Sequence, residues 1–158
     1  MIVTLTANPS LDRTVELSDE LRRGTVMRAT RVAQDSGGKG VNIARALKGS
    51  GFDTIAILPG DNDDPVLLGL KEEGVQYVNM STGAPIRSNI TVVEPDGTTT
   101  KFNAPGEPLN GLAQQQLTRL LIQETHDASW LVLAGSLPPG VQSDYYLSLI
   151  HISEPTRP

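Results

Sequence analysis

Apolar positions follow two rhythms along this chain. Residues 2–6 (IVTLT) form a short β-branched run stopped by Asn8-Pro9, the pattern of a buried strand. Residues 26–33 (VMRATRVA) predict a second strand. The period then changes. Over residues 40–48, Val41, Ala44 and Leu47 fall near one helical face, with Gly49 or Gly51 as the stop. Residues 54–58 (TIAIL) predict a strand. Residues 64–73 predict a helix with Val66, Leu67 and Leu70 inward and Gly74 just past its end. Residues 75–78 predict another strand. Residues 88–93 and 98–102 flank Glu94-Pro95-Asp96-Gly97, a hairpin signal. Residues 112–123 predict a helix, and 130–134 (WLVLA) a strand apolar throughout, as suits burial on both faces. Strand and helix in alternation predict an α/β fold with a parallel sheet and crossover helices. The hairpin and residues 14–17 break the alternation and are expected to form a small antiparallel flap.

Composition narrows the function. The 158 residues and mixed charges suit one soluble globular unit, long enough to bury a core. A net charge of -5, without a basic stripe, argues against nucleic acid as partner. The absence of cysteine excludes disulfides, thiol catalysis and cysteine zinc sites. His126 and His151 are too few for a histidine-rich metal site. The start, MIVTLTANPS, is not a signal peptide, and no apolar run approaches a membrane span. No membrane partner and a cytoplasmic setting are therefore expected.

Candidate chemistry concentrates where strands give way to loops. Residues 35–47 read DSGGKGVNIARAL, glycines and Lys39 directly ahead of a helix. A helix N-terminus offers unpaired N–H groups and partial positive charge; glycine lets a ligand approach, and lysine adds a full charge. Those residues fit a phosphate site, and equally a tight turn with a solvated lysine. A P-loop does not fit, since Gly40 follows Lys39 where Ser or Thr is needed; nor does a dinucleotide fingerprint, since Ile43 stands at its third glycine. Asp12 follows the first strand, where a carboxylate could accept sugar hydroxyls or close an Asx turn. Residues 135–140 (GSLPPG) again follow a strand, with the Ser136 hydroxyl in their first turn, and should open on the same sheet edge.

Four motifs in order, NPSLD, SGGKGVNIARAL, EPDGTTTKFNAPG and AGSLPPG, resemble the ribokinase-like (PfkB) carbohydrate kinases, from Met1 to about Tyr146. The fructose-1-phosphate kinases among them are most similar, with the tagatose-6-phosphate and fructose-6-phosphate kinases alongside. The resemblance implies a doubly wound α/β domain spanning residues 1–146. A small β lid, about residues 12–34 and 88–102, would cover the sugar and pair two subunits into a homodimer. It implies transfer of the γ-phosphoryl of ATP, with Mg2+, to a hydroxyl of a sugar phosphate. Residue by residue, Asp12 matches the aspartate that holds sugar hydroxyls, and Gly37, Gly38 and Asn42 match the groups that contact the sugar. Arg87 matches an arginine that grips the substrate phosphate, and Ser136 a serine near it. Lys101 falls where some relatives carry arginine; either a site role or a solvated strand charge is open for it. A phosphate role for Lys39 rests on its charge.

The family's catalytic aspartate lies in a Gly-Ala-Gly-Asp motif towards the C-terminus of chains roughly twice this long. Neither that motif nor the family's magnesium-associated Asn-x-x-Glu follows residue 140 here. The expectation is a sugar-phosphate half-site without catalytic base or ATP and Mg2+ sites, inactive by itself; the alternative is a non-catalytic sugar-phosphate-binding module. Residues 147–157 (LSLIHISEPTR) match the translation of a transposase adapter used in sequencing libraries. Residues 147–158 are therefore expected to be non-native, with no function for His151, Glu154 or Arg157. The competing reading is a genuine helix with Tyr146, Leu149 and Ile150 on its apolar face.

Overall fold

The computed structural model describes residues 1–153. In chain order these form β1 (Ile2–Leu5), β2 (Ser10–Leu17), β3 (Ala29–Gly37), α1 (Lys39–Gly49), β4 (Thr54–Pro59) and α2 (Pro65–Glu72). β5 (Tyr77–Met80), β6 (Arg87–Val93), β7 (Thr99–Asn103), α3 (Gly111–Thr125), β8 (Trp130–Leu133) and α4 (Tyr145–Ser153) follow.

Strands β5-β4-β1-β8, in that order, make a parallel sheet. Alternation along a strand sends its apolar side chains to both faces. Val3, Leu5 and Ile57 pack with Leu117 and Leu121 of α3 and Leu149 of α4. Ala56 and Leu58 pack with Val41 and Ala44 of α1 and with Val66, Leu67 and Leu70 of α2. Crossover helices thus cover both faces, as a parallel sheet requires. Asp64 caps α2, accepting from the Val66 amide at 2.9 Å, with Pro65 in its first turn.

The second sheet runs β3-β2-β6-β7. It is mixed rather than antiparallel: β2 pairs antiparallel with β3 and parallel with β6, and β6 pairs antiparallel with β7. The reason is topological. β2 and β6 both leave the same edge of the first sheet, one after β1 and the other after β5, so they travel the same way.

Boundaries shift where pairing overrides local signals. The second predicted strand begins at Ala29 and runs on to Gly37, because β2 supplies a ladder partner as far as Ser10↔Gly37. Val26 lies outside it, 94% exposed. Val75 closes α2, its amide donating to Leu70 O at 2.9 Å, and β5 starts only at Tyr77. β8 ladders with β1 at an end of the described sheet, and is half-buried rather than buried on both faces, with Trp130 71% exposed. In α4, Tyr145 and Leu149 are buried and Leu147 and Ile150 are exposed. His151 is exposed, while Glu154 and Arg157 lie outside the described residues.

Candidate functional site

Period two places Ser10 and Asp12 on one face of β2, and Arg87 and Asn89 on the same face of its neighbour β6; the register pairs Ser10↔Arg87 and Asp12↔Asn89. That face borders a cavity of about 490 Å³. The start of α1 (Gly38, Lys39, Asn42) and the loop after β8 (Gly135, Ser136) complete its wall. Both predicted loops do open on one edge of the parallel sheet.

Asp12 does not close an Asx turn. Its Oδ1 accepts from Ser10 Oγ at 2.7 Å and from Asn89 Nδ2 at 3.2 Å. The other oxygen has no hydrogen bond among the described residues and can accept a hydroxyl. The tether fixes the carboxylate in one orientation before any ligand arrives.

Arg87 is the cation at the centre. Its Nη1 donates to Ala104 O at 2.8 Å and to Asn89 Oδ1 at 3.4 Å. Its Nη2 donates to Asn8 O at 3.1 Å and to Ser136 Oγ at 3.4 Å, and its Nε to Pro9 O at 3.3 Å. Every one of these acceptors is neutral. Among the described residues no carboxylate comes within ion-pair range of it. Burial pushes the guanidinium pKa down, and the charge of Asp12 partly offsets that. A half-buried cation held only by neutral oxygens keeps its charge free for an anion.

The glycines beside Lys39 answer a demand of the chain itself. A Cβ on Gly37 would run into the Asp12 carboxylate; one on Gly38 would come within 2.5 Å of Thr6 Cγ2, and one on Gly40 within 2.6 Å of Leu5 O. The clearance therefore serves the chain itself, letting α1 begin directly on the end of β1. What reaches the cavity is the helix terminus. Gly38 is its N-cap, with no side-chain cap and no acidic residue in the first turn, so the positive end stays open. Lys39 stands exposed at the rim, with no hydrogen bond or ion pair among the described residues. Asn42, one turn on, also lines the cavity.

Asp12, Gly38, Lys39, Asn42, Arg87 and Ser136 thus meet around one space, with Gly37 against Asp12. Lys101 is not among the residues that line the cavity; it is exposed on β7 opposite Thr91, two residues along β6 from Asn89 on the same face. Ser10, Asn8 and Asn89 line the site and escaped sequence reasoning. For Ser10 and Asn89 a signal was present, the two-residue spacing to Asp12 and to Arg87 once both segments are read as strands. Among the described residues no three carboxylate or imidazole groups gather in one place.

The sequence pattern described as pfkB family carbohydrate kinase matches residues 6–155. ATP-dependent 6-phosphofructokinase isozyme 2 of Mycobacterium tuberculosis is 34% identical over 148 residues, 92% of this chain and 43% of that protein. The 1-phosphofructokinase of Xanthomonas campestris is 33% identical over 150 residues, 93% of this chain and 47% of that one. Phosphofructokinase-2 of Escherichia coli, in complex with fructose-6-phosphate, superposes with a TM-score of 0.86 at 31% identity, covering 96% of this chain and 50% of that one. The chain spans about half the length of the curated relatives it matches.

Proposed function

The chain belongs to the pfkB family of carbohydrate kinases, with the family's ribokinase-like α/β fold, and from that premise we propose that it forms the sugar-phosphate-binding part of an ATP-dependent kinase. The substrate is fructose 1-phosphate and the product fructose 1,6-bisphosphate. The observation that supports this most is Arg87, a half-buried guanidinium with neutral partners only, beside the Ser136 hydroxyl. Arg87 and Ser136 hold the substrate phosphate. Asp12, oriented by Ser10 and Asn89, accepts sugar hydroxyls at the other end. Asn42 and the open end of α1 add donors, and Lys39 brings a second positive charge to the rim. Residues 1–146 make up this part, with the β2–β3 and β6–β7 segments as its lid.

ATP, with Mg2+, supplies the phosphoryl group. One observation favours a second reading, a binding module without transfer chemistry. Asp12 is the only carboxylate among the cavity-lining residues described, and one of its oxygens is already engaged twice. Calorimetric titration with fructose 1-phosphate, fructose 6-phosphate and tagatose 6-phosphate, beside an ATP-turnover assay, separates the two. Binding of fructose 1-phosphate in preference to the others supports the assignment. Binding without turnover by the full gene product favours the module. No binding of any sugar phosphate overturns both.

A further inference from the structure

Asn42 lines the cavity, and its carboxamide can present either an acceptor or a donor. Which one it presents is settled by its neighbour three residues on along α1. Arg45 Nη1 donates to Asn42 Oδ1 at 2.9 Å. Guanidinium has donors only, so the carboxamide oxygen must face it and the NH2 group must face away. We propose that Arg45 is a positioning residue of the cavity, holding Asn42 as a donor towards an oxygen of the bound sugar phosphate. The inference rests on the reading of that cavity as the sugar-phosphate site.

Arg45 is itself held in place. Its Nε and Nη2 grip the Glu73 carboxylate side-on, at 2.5 and 3.1 Å, and Nη2 also donates to Ser36 O at 2.8 Å. Glu73 is the C-cap of α2, and its carbonyl accepts from Lys48 Nζ. Ser36 Oγ donates to Val66 O at 2.7 Å, closing the same corner from β3. The fork of the guanidinium therefore spans β3, α1 and α2, with Nη1 left to aim Asn42. A plain surface ion pair between α1 and α2 would need only the Glu73 contact, and such pairs contribute little. The bond to Asn42 is the one that engages a cavity-lining residue.

The two roles separate experimentally. Fructose 1-phosphate is titrated into the wild type, Arg45→Ala, Arg45→Lys, Asn42→Ala and the Asn42→Ala/Arg45→Ala double variant, with Tm measured for each. Arg45→Ala should weaken binding roughly tenfold, as for loss of one well-oriented hydrogen bond to a charged ligand. In the Asn42→Ala background the same change should have no further effect. Arg45→Lys keeps a charge beside Glu73 without the fork, so Tm should hold while binding still falls. Should Arg87→Ala weaken binding while Arg45→Ala does not, or does so equally with and without Asn42, the positioning role is overturned and the site reading stands. If Arg87→Ala also leaves binding unchanged, the site reading falls and the positioning role with it.

Discussion

At the scale of single residues, the site turns on charge without a counter-charge. Arg87 has five contacts and none to a carboxylate. Its replacement should therefore cost the ligand more than it costs the fold. Arg87→Ala should weaken sugar-phosphate binding by about 2 kcal/mol or more, the size of a charge-assisted pair in a partly buried setting. Titration calorimetry checks this, and an unchanged affinity removes Arg87 from the site. Gly38 makes the opposite case. Its φ of 117° is outside the range other residues favour, and a Cβ would press on Thr6 Cγ2. Gly38→Ala should lower stability by about 1–3 kcal/mol through backbone strain alone. A thermal or denaturant unfolding curve tests it, and an unshifted midpoint would show that the start of α1 can relax.

At the scale of elements, loops are fastened to one another by carboxylates. Asp61, after β4, accepts from Ser81 Oγ at 2.5 Å and from the amides of Thr82 and Gly83 at 2.8 and 3.1 Å. Asp64 reaches the same loop through the Ile86 amide at 2.9 Å. The loop so held leads into β6 and Arg87. The hydrogen bonds from Ser81, then Gly83 and Thr82, hold the Asp61 carboxyl below its ordinary value. A depressed carboxyl pKa contributes stability that is complete above the unfolded value of about 4 and is lost as pH falls through the folded one. Amide exchange at Thr82 and Gly83, measured at fixed intrinsic rate, should therefore accelerate below that point, and in Asp61→Asn should be faster already at neutral pH. Equal protection in wild type and Asp61→Asn would dismiss the latch.

At the scale of the whole molecule, the second sheet has two unlike faces. One carries Ser10, Asp12, Arg87 and Asn89 towards the cavity. The other carries Val32, Ile90 and Phe102, which are 62%, 39% and 54% exposed. An apolar sheet face of that kind is a liability unless something covers it. We propose that a second copy does so, giving a homodimer through the lid. Sedimentation or light scattering at micromolar concentration should report twice the chain mass, and Phe102→Asp should shift the population towards monomer. A monomeric wild type that still binds the sugar phosphate would overturn this assembly.

The alternation of periods along the chain already determined the α/β class, the parallel sheet and its crossover helices. The reason is local: burial on a strand repeats every two residues and on a helix every three to four, and Val41, Ala44, Val66, Leu67 and Leu70 sit where that rule put them. Asp12, Lys39 and Ser136 could be picked out because ligands gather beyond the carboxyl ends of parallel strands, and Asn42 through the family resemblance; the structure sets all four around one cavity. Tertiary structure decided the rest. β3 runs on past residue 33 to Gly37 because β2 supplies ladder bonds that outweigh local propensity. The second sheet is mixed because two strands leave one sheet edge in the same direction. Lys101 sits opposite Thr91, two residues along β6 from Asn89, because register depends on pairing between distant segments. Arg87 binds neutral oxygens from residues 8, 9, 89, 104 and 136, and only the folded chain brings those five positions to one guanidinium.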